Sequence, residues 1–380
     1  MFELLNLYNR LGPLLKPAGM LYGGIMRFRR GAYRRKSRQT YRPACPTITV
    51  GNISWGGTGK TPITAWLLSW AQQQGLKAGV LSRGYKGRPG VLPLLVTAAT
   101  APTASGDEPL MLAKAFPAAK VLVDPKRARA ARYAEAHFDL DLLIADDAFQ
   151  HLALERDYNI VLLTLDDLSS EWNRVIPAGS WREDASALQD AQVILLRLPS
   201  PLREQDLQDL FRLAGQKLGV GRENGCAVPF FPFCYRPIGL RRLGNCGSGN
   251  AVAVPDLSGR QYVLFCGVGA PQGVLESASS FLGYAPLKFV PFADHYRYTR
   301  EDLLELAGAG IALVCTGKDA VKLEAELPEL VNAYPIWAIQ MQIEFLEGRD
   351  AQGNPAVFPE FWERAWRDIS TARFEQKSRL

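Results

Sequence analysis

The chain has 380 residues, 47% apolar and 22% charged, with a formal net charge of +6. That length holds two ordinary domains with sizeable cores, and the composition excludes a disordered or fibrous protein. The positive charge is local: residues 1–43 carry ten Lys/Arg and one acid, leaving 34 basic against 37 acidic residues, a balance that argues against a nucleic-acid-binding face on the body.

The N-terminal segment sets Phe2, Leu4, Leu5, Leu7, Tyr8, Leu11, Leu14, Leu15, Met20, Leu21, Ile25 and Met26 ahead of Arg27, Arg29, Arg30, Arg34, Arg35, Lys36 and Arg38. Its longest uncharged run, 17–26, is too short to cross a bilayer. No small-residue cleavage site follows an apolar core, so a secretory signal is not expected. Apolar residues followed by arginines suit a segment lying on anionic lipid, at about 1 kcal/mol per basic residue near the headgroups. The plainer alternative is a segment packed on the protein with solvated arginines.

From residue 44 to about 215 apolar runs alternate with helix-like stretches. Strands are predicted at 46–50, 77–82, 120–123, 141–146, 159–164 and 192–197, and helices at 62–74, 109–116, 126–137 and 203–215. This alternation predicts an α/β fold with a parallel sheet covered by helices. An extended piece at 227–235 follows, whose prolines argue against a central strand. A second α/β pattern opens at Tyr262–Cys266 and runs through Ile311 to Cys315, then an extended run at 335–345. Residues 356–380 read as a polar tail with some helical character. The six cysteines (Cys45, Cys226, Cys234, Cys246, Cys266, Cys315) show no CxxC or metal-ligand spacing, as expected of buried free thiols in a reducing compartment.

Between the first strand and helix lies Ser54-Trp55-Gly56-Gly57-Thr58-Gly59-Lys60-Thr61-Pro62. Such glycines let backbone N–H groups converge on phosphate oxygens, Lys60 adds a point charge, and Thr61 can place a hydroxyl on Mg²⁺. Pro62 suits the first turn of a helix whose positive end faces the phosphates. Ser54 stands where the usual pattern has glycine, and Trp55 where the loop of partition-type ATPases has lysine. The strand at 141–146 ends in Asp146-Asp147, carboxylates of the kind that hold Mg²⁺ in phosphate-loop enzymes. Gln150-His151 follows directly. Arg83 leaves the strand at 77–82 where an arginine can bind phosphate. Asp107 sits in a turn before a helix, and His295 in a polar-aromatic cluster; a paired Asp and His could take the proton from an attacking hydroxyl. Spacing alone does not bring these two together. Arg182-Glu183 after Pro177-Ala178-Gly179 is a weak signal by itself.

In this order, Gly51-Asn52 with Gly56 to Pro62, Ser82 to Tyr85, Gly106 to Pro109, Asp146 to His151, Pro177 to Gly179 with Arg182-Glu183, Asp294-His295 and Lys318 to Lys322 resemble the tetraacyldisaccharide 4′-kinase family of lipid A synthesis. The resemblance implies transfer of the γ-phosphoryl of ATP to the 4′-hydroxyl of a tetraacyldisaccharide 1-phosphate, forming lipid IVA. It implies a phosphate-loop-type α/β/α sandwich, a second, smaller α/β/α domain and a two-stranded linker. The expected divisions are a membrane-associating segment (1–43), a catalytic domain (44–225), linker strand (226–260), smaller domain (261–334), and return strand with tail (335–380).

By the same resemblance, Ser54, Gly56, Gly57, Thr58, Gly59, Lys60 and Thr61 bind nucleotide, and Thr61, Asp146 and Asp147 hold Mg²⁺. Lys60, Asp107 and His295 are catalytic. Arg83, Gln150, His151, Arg182 and Glu183 line the acceptor side. The expected partners are ATP, the acylated disaccharide and the anionic surface at the cytoplasmic face of the inner membrane, with no nucleic acid and the protein a monomer. Ala148, Trp181, Asp184, Tyr296 and Gly317 depart from the family pattern. A regulatory ATPase of the partitioning type shares the glycine loop and the amphipathic anchor but has no need of Asp107 and His295. A nucleic-acid motor is the third reading, and the near-neutral body counts against it.

Overall fold

In the computed structural model, residues 2–56, 58–200, 202–219, 228–244, 257, 261–294, 296–307 and 311–377 are described, with side chains from Leu14 to Glu375. Helix α1 (Phe2–Arg34) precedes β1 (Thr47–Asn52), α2 (Lys60–Gln73), β2 (Ala78–Ser82) and the short edge strand β3 (Leu94–Val96). Next come α3 (Pro102–Ser105), α4 (Asp107–Ala115), β4 (Lys120–Val123), α5 (Arg127–His137), β5 (Leu142–Asp146) and β6 (Tyr158–Thr164). After α6 (Leu165–Leu168) follow β7 (Val193–Arg197), α7 (Glu204–Leu218), β8 (Phe230–Arg242), β9 (Tyr262–Cys266), α8 (Pro271–Leu282) and β10 (Lys288–Pro291). The chain closes through α9 (Arg300–Ala307), β11 (Ala312–Thr316), α10 (Gly317–Glu326), α11 (Pro328–Ala333), β12 (Ile336–Phe345) and α12 (Phe358–Lys377).

The strands form one hydrogen-bonded sheet in the order β10-β9-β11-β12-β8-β7-β6-β1-β5-β2-β4-β3. All these neighbours are parallel except β3 with β4 and β8 with β12. Both faces are covered, which is why the central strands read as nearly unbroken apolar runs. Ile48, Val50, Ile160 and Leu162 point to the side of α2, α4 and α12, whereas Val161, Leu163, Ile194 and Leu196 meet the side of α7. The same alternation recurs around β9: Val263 and Phe265 face α9 to α11, and Tyr262 and Leu264 face α8. Cys45, Cys234, Cys266 and Cys315 are buried free thiols; Cys226 and Cys246 lie outside the described residues.

Two expectations are corrected. The prolines of 227–235 do not exclude a central strand, because β8 lies between β7 and β12. Pro232 pairs in register with Leu196 of β7 and, just before the β12 register begins at Phe233, uses only its carbonyl on that side, accepting from the Leu346 N–H at 2.9 Å; Pro237 sits beside the register shift at Gln340/Met341. A missing N–H is tolerated at both kinds of position. The stretch read as a polar tail with some helical character is the 20-residue helix α12, and what that reading missed is its apolar face. Phe358, Phe361, Trp362, Ala365, Trp366 and Ile369 fall at helical spacing and pack on the core beside α2. Trp70 meets Trp362 and Trp366 edge-on at 5.3 Å.

Phe358 is fully buried against Trp66, Phe231 and Phe345. Phe358→Ala therefore lowers stability by about 3–5 kcal/mol, whereas the exposed Arg364→Ala stays within about 0.5 kcal/mol. Unfolding midpoints of the two variants check this; equal shifts would contradict the packing role of α12.

Candidate active site

The chain between β1 and α2 turns on two glycines. Gly56 and Gly59 have φ of +130° and +94°, open to glycine and strained for other residues. A Cβ at Gly59 would stand 2.1 Å from the Tyr235 hydroxyl, which donates to the Gly59 carbonyl at 3.1 Å. Helix α2 then begins at Lys60, so the free N–H groups and positive dipole of its first turn face the loop. Thr61 is buried in that turn. Thr58 is also buried, and its hydroxyl has no hydrogen-bond partner among the described residues. Gly57 lies outside them.

Polar contacts hold the loop from both sides. Lys60 Nζ donates to Asn52 Oδ1 at 3.3 Å, and Asn52 Nδ2 donates to the Ser54 carbonyl at 2.7 Å. The Ser54 hydroxyl donates to Asp167 Oδ2 at 3.1 Å. That buried carboxylate also accepts from the Thr164 N–H and hydroxyl and from the Trp181 indole. Main-chain bonds from Trp55 to Ser180 and from Arg182 to Ile53, at 2.9 and 2.7 Å, fasten the loop to residues 180–182.

β5 pairs beside β1 with Asp146 opposite Val50, so the two acids leave the sheet next to the loop. Asp146 is buried and accepts from the Thr64 hydroxyl at 3.0 Å. Burial, then the nearby Glu108 and Asp147 charges, push its carboxyl up to about 7 against the pull of Lys60. Asp147 has the opposite setting. Burial works against its charge, but Lys60, Arg182, Arg127 and Arg83 overcome it and hold the carboxyl below its usual range. Its Oδ1 lies 3.6 Å from Lys60 Nζ and 3.3 Å from Arg182 Nη1. Asp147 has φ +46°, a conformation uncommon outside glycine. Ala148 has no positive φ, so alanine there carries no backbone cost. Arg127 is fully buried, donates to the Asp146 carbonyl at 3.1 Å, and is lowered to about 10 chiefly by burial.

Around this centre, Gln150 Nε2 donates to the Asn52 carbonyl at 2.8 Å, and Arg182 Nη1 donates to Gln150 Oε1 at 3.4 Å. His151 is lowered to about 4, first by burial and then by Arg127, Arg156, Arg83 and Arg29. Arg83 is exposed and within electrostatic reach of both Asp147 and His151. Glu183 turns the other way: one oxygen accepts from Arg30 of α1 at 2.6 Å, and the other has no partner among the described residues.

Asp107 is the first residue of α4, and the charge of Glu108 beside it reaches Asp146. Lys322 Nζ stands 3.6 Å from Asp107 Oδ2. His295 lies outside the described residues; its neighbour Tyr296 accepts from Lys322 through the main-chain carbonyl at 3.2 Å.

α1 docks beside the site. Arg30, nearly enclosed, bonds Glu183 and Asp190 and sits 4.7 Å over the Phe149 ring. Arg27 and Arg34 pair with Asp184 and Asp190. Three of the basic residues expected to face lipid are thus paired with acids, of which only Arg30 is buried; Arg27, Arg34, Arg35, Lys36 and Arg38 are exposed. Leu14, Met20, Leu21, Ile25 and Phe28 are 56–78% exposed, and positions 14, 21, 25 and 28 share one helical face. Among the described residues no helix is long and apolar enough to cross a membrane.

A profile of the tetraacyldisaccharide-1-P 4′-kinase family matches residues 11–354. The chain belongs to that family. It is 41% identical to the tetraacyldisaccharide 4′-kinase of Nitratidesulfovibrio vulgaris over 367 residues, covering 97% of this chain and 98% of that one. It is also 41% identical to that of Oleidesulfovibrio alaskensis over 377 residues, covering 97% and 99%. The solved structure of the Aquifex aeolicus kinase of the same family in complex with ATP superposes with a TM-score of 0.68 at 26% identity, covering 88% of this chain and 95% of that one. As a tetraacyldisaccharide 4′-kinase family member, the chain is an ATP-dependent kinase of lipid A biosynthesis that phosphorylates the 4′ position of the disaccharide precursor.

Thr64, Arg127, Asp167 and Tyr235 were not singled out by sequence reasoning, and Asn52 entered only as part of the Gly51-Asn52 motif, with no role given to it. Thr64 had a signal, three residues after Thr61 on the same helical face. Arg127 had one too, just past the carboxyl end of β4. Tyr235 comes 176 residues after the glycine it covers, and nothing local points to it.

Because the folded His151 value lies below its ordinary 6.5, the unfolded chain takes the proton first. The stability held above pH 6.5 is therefore lost as pH falls toward 4. His151→Gln removes a loss on the order of 2 kcal/mol, discounted for partial exposure. Unfolding midpoints at pH 5 and pH 7.5 check this, and identical pH slopes for wild type and variant would contradict it.

Proposed function

We propose that the γ-phosphoryl is transferred at the carboxyl ends of β1 and β5, with Lys60 and the first turn of α2 on the phosphates. One observation carries this reading: Lys60 of the loop stands 3.6 Å from Asp147 of the neighbouring strand end. Phosphoryl transfer asks for positioning and charge neutralisation rather than covalent chemistry. The main-chain N–H groups of Gly59 and Lys60 at the start of α2 supply donors and Lys60 the cation. Arg83, Arg182 and Gln150 offer donors to the acceptor side. Asp107 and His295 form the pair that takes the proton of the 4′-hydroxyl, its oxygen then bonding to the γ-phosphorus as the bond to the β-phosphate oxygen breaks.

The donor set fits Mg²⁺. Thr61, Asp146 and Asp147 offer hydroxyl and carboxylate oxygens, and the buried Thr58 hydroxyl supplies a further unpartnered one. Among the described residues no cluster of three or more His, Cys, Asp or Glu could hold a metal alone. That suits an ion sharing its shell with nucleotide phosphates. Bound there, Mg²⁺ would screen the charge that develops between the β- and γ-phosphates.

The exposed apolar face of α1, with Lys16, Arg35, Lys36 and Arg38 exposed along or just after it, supports peripheral binding to the anionic cytoplasmic face of the inner membrane. The protein acts there as a monomer. Residues 44–225 make the catalytic domain and 261–334 the smaller one, with β8 and β12 as linker strands.

Transfer of labelled γ-phosphate from Mg·ATP to a tetraacylated disaccharide 1-phosphate in detergent micelles tests the assignment. Lys60→Ala and Asp107→Ala each lose roughly 10²–10⁴-fold in lipid phosphorylation. ATP hydrolysis without lipid product, indifferent to Asp107 and His295, would instead favour a regulatory ATPase. A second prediction concerns α1: Leu21→Glu with Ile25→Glu abolishes flotation with anionic vesicles while melting unchanged. Unaltered flotation would overturn the lipid-binding role of that face.

A further inference from the structure

Lys322 is a buried lysine that the phosphate chemistry above does not use. Only 4% of its side chain is exposed, and a buried ammonium persists only with anions and acceptors around it. Its Nζ donates to the Tyr296 carbonyl at 3.2 Å, stands 3.6 Å from Asp107 Oδ2 and 3.9 Å from Asp319 Oδ1, and lies 5.9 Å from the Tyr298 ring centre.

The two carboxylates are held differently. Asp319 is fully buried and accepts from the Gly267 N–H, the Tyr298 hydroxyl and the Thr316 hydroxyl at 3.1, 2.9 and 2.6 Å. All of these partners belong to the β9–β11 side of the sheet, so Asp319, the Tyr296 carbonyl and Lys322 form one unit there. Asp107 comes from the far side of the β8–β12 pair, at the start of α4, which packs against α10 and β4. Among the described residues, Lys322 is therefore a cation through which the smaller half touches Asp107.

We propose that Lys322 is a positioning residue for Asp107. Anchored by Asp319 and the Tyr296 carbonyl, its ammonium holds Oδ2 so that the carboxylate faces the acceptor hydroxyl, and it does so only while α10 stands against α4. Lys322 neither gives nor takes a proton: the hydroxyl proton goes to the carboxylate and the freed oxygen bonds to phosphorus. The arrangement ties catalysis to the docking of the two halves. This inference rests on the Asp107–His295 pair proposed above and takes Asp107 as the member that receives the proton.

A double-mutant cycle on kcat tests it, using Lys322→Met, Lys322→Arg and Asp107→Asn in the full-length protein. Lys322→Met lowers kcat roughly 10–100-fold, as a displaced catalytic group does, with KM for ATP changed by less than about threefold. Lys322→Arg, which keeps the charge, restores part of the rate. In the Asp107→Asn background Lys322→Met changes kcat by less than about threefold, the non-additivity of groups that act as a unit. Equal losses in both backgrounds, an unchanged kcat, or a rise in KM alone would overturn the proposal and reduce Lys322 to a structural tie. If Asp107→Asn itself keeps the wild-type rate, the base assignment falls and this inference with it. Where Lys322→Met does not fold, Lys322→Arg runs the same cycle, its loss again expected only with Asp107 present.

Discussion

The pairing of Val50 with Asp146 across β1 and β5 is the constraint on which the site depends. Parallel strands end on the same side, so this register releases the glycine loop and the two acids at one point on the sheet edge. Lys60 can meet Asp147 because each lies only a short way past its strand. The close approach is filled: a Cβ on Gly51 would come within 2.5 Å of the Phe149 side chain, so any larger residue there would part the two segments.

Charge is arranged in two tiers around that edge. Asp167, satisfied by four donors, serves purely as an anchor that holds residues 53–55 and 180–182 in place. Asp146 and Asp147 are less settled. One is buried beside other acids and raised toward neutrality, the other surrounded by four cations and kept ionised. Adjacent carboxylates driven apart in this way are the setting in which the proposed ligand role of this pair arises. The left-handed backbone at Asp147 is local strain of the kind the surrounding bonds must over-determine, and Arg127 on the Asp146 carbonyl is one such bond.

Much of this was legible in the sequence because it is local. The six strands expected before residue 200 all formed, since buried parallel strands announce themselves as apolar runs between helical stretches. Gly56 and Gly59 proved to need their glycines. The failures share a cause in long-range packing. The prolines of β8 are harmless only because of where β12 begins and slips, and α12 hides a tryptophan-rich stripe within a polar composition. Among the residues departing from the family pattern, Trp181 keeps an indole bond to Asp167, and Asp184 pairs with Arg27. Neither partner is near in sequence.

Together these two strand ends are proposed to form one site for phosphates and metal. Mn²⁺ binding followed by electron paramagnetic resonance, with a non-hydrolysable ATP analogue present, tests it most directly. The bound signal of the wild type is expected to be lost when Asp146→Asn and Asp147→Asn are combined, and weakened by Lys60→Ala through poorer nucleotide binding. An unchanged Mn²⁺ affinity in the doubly substituted protein would contradict it.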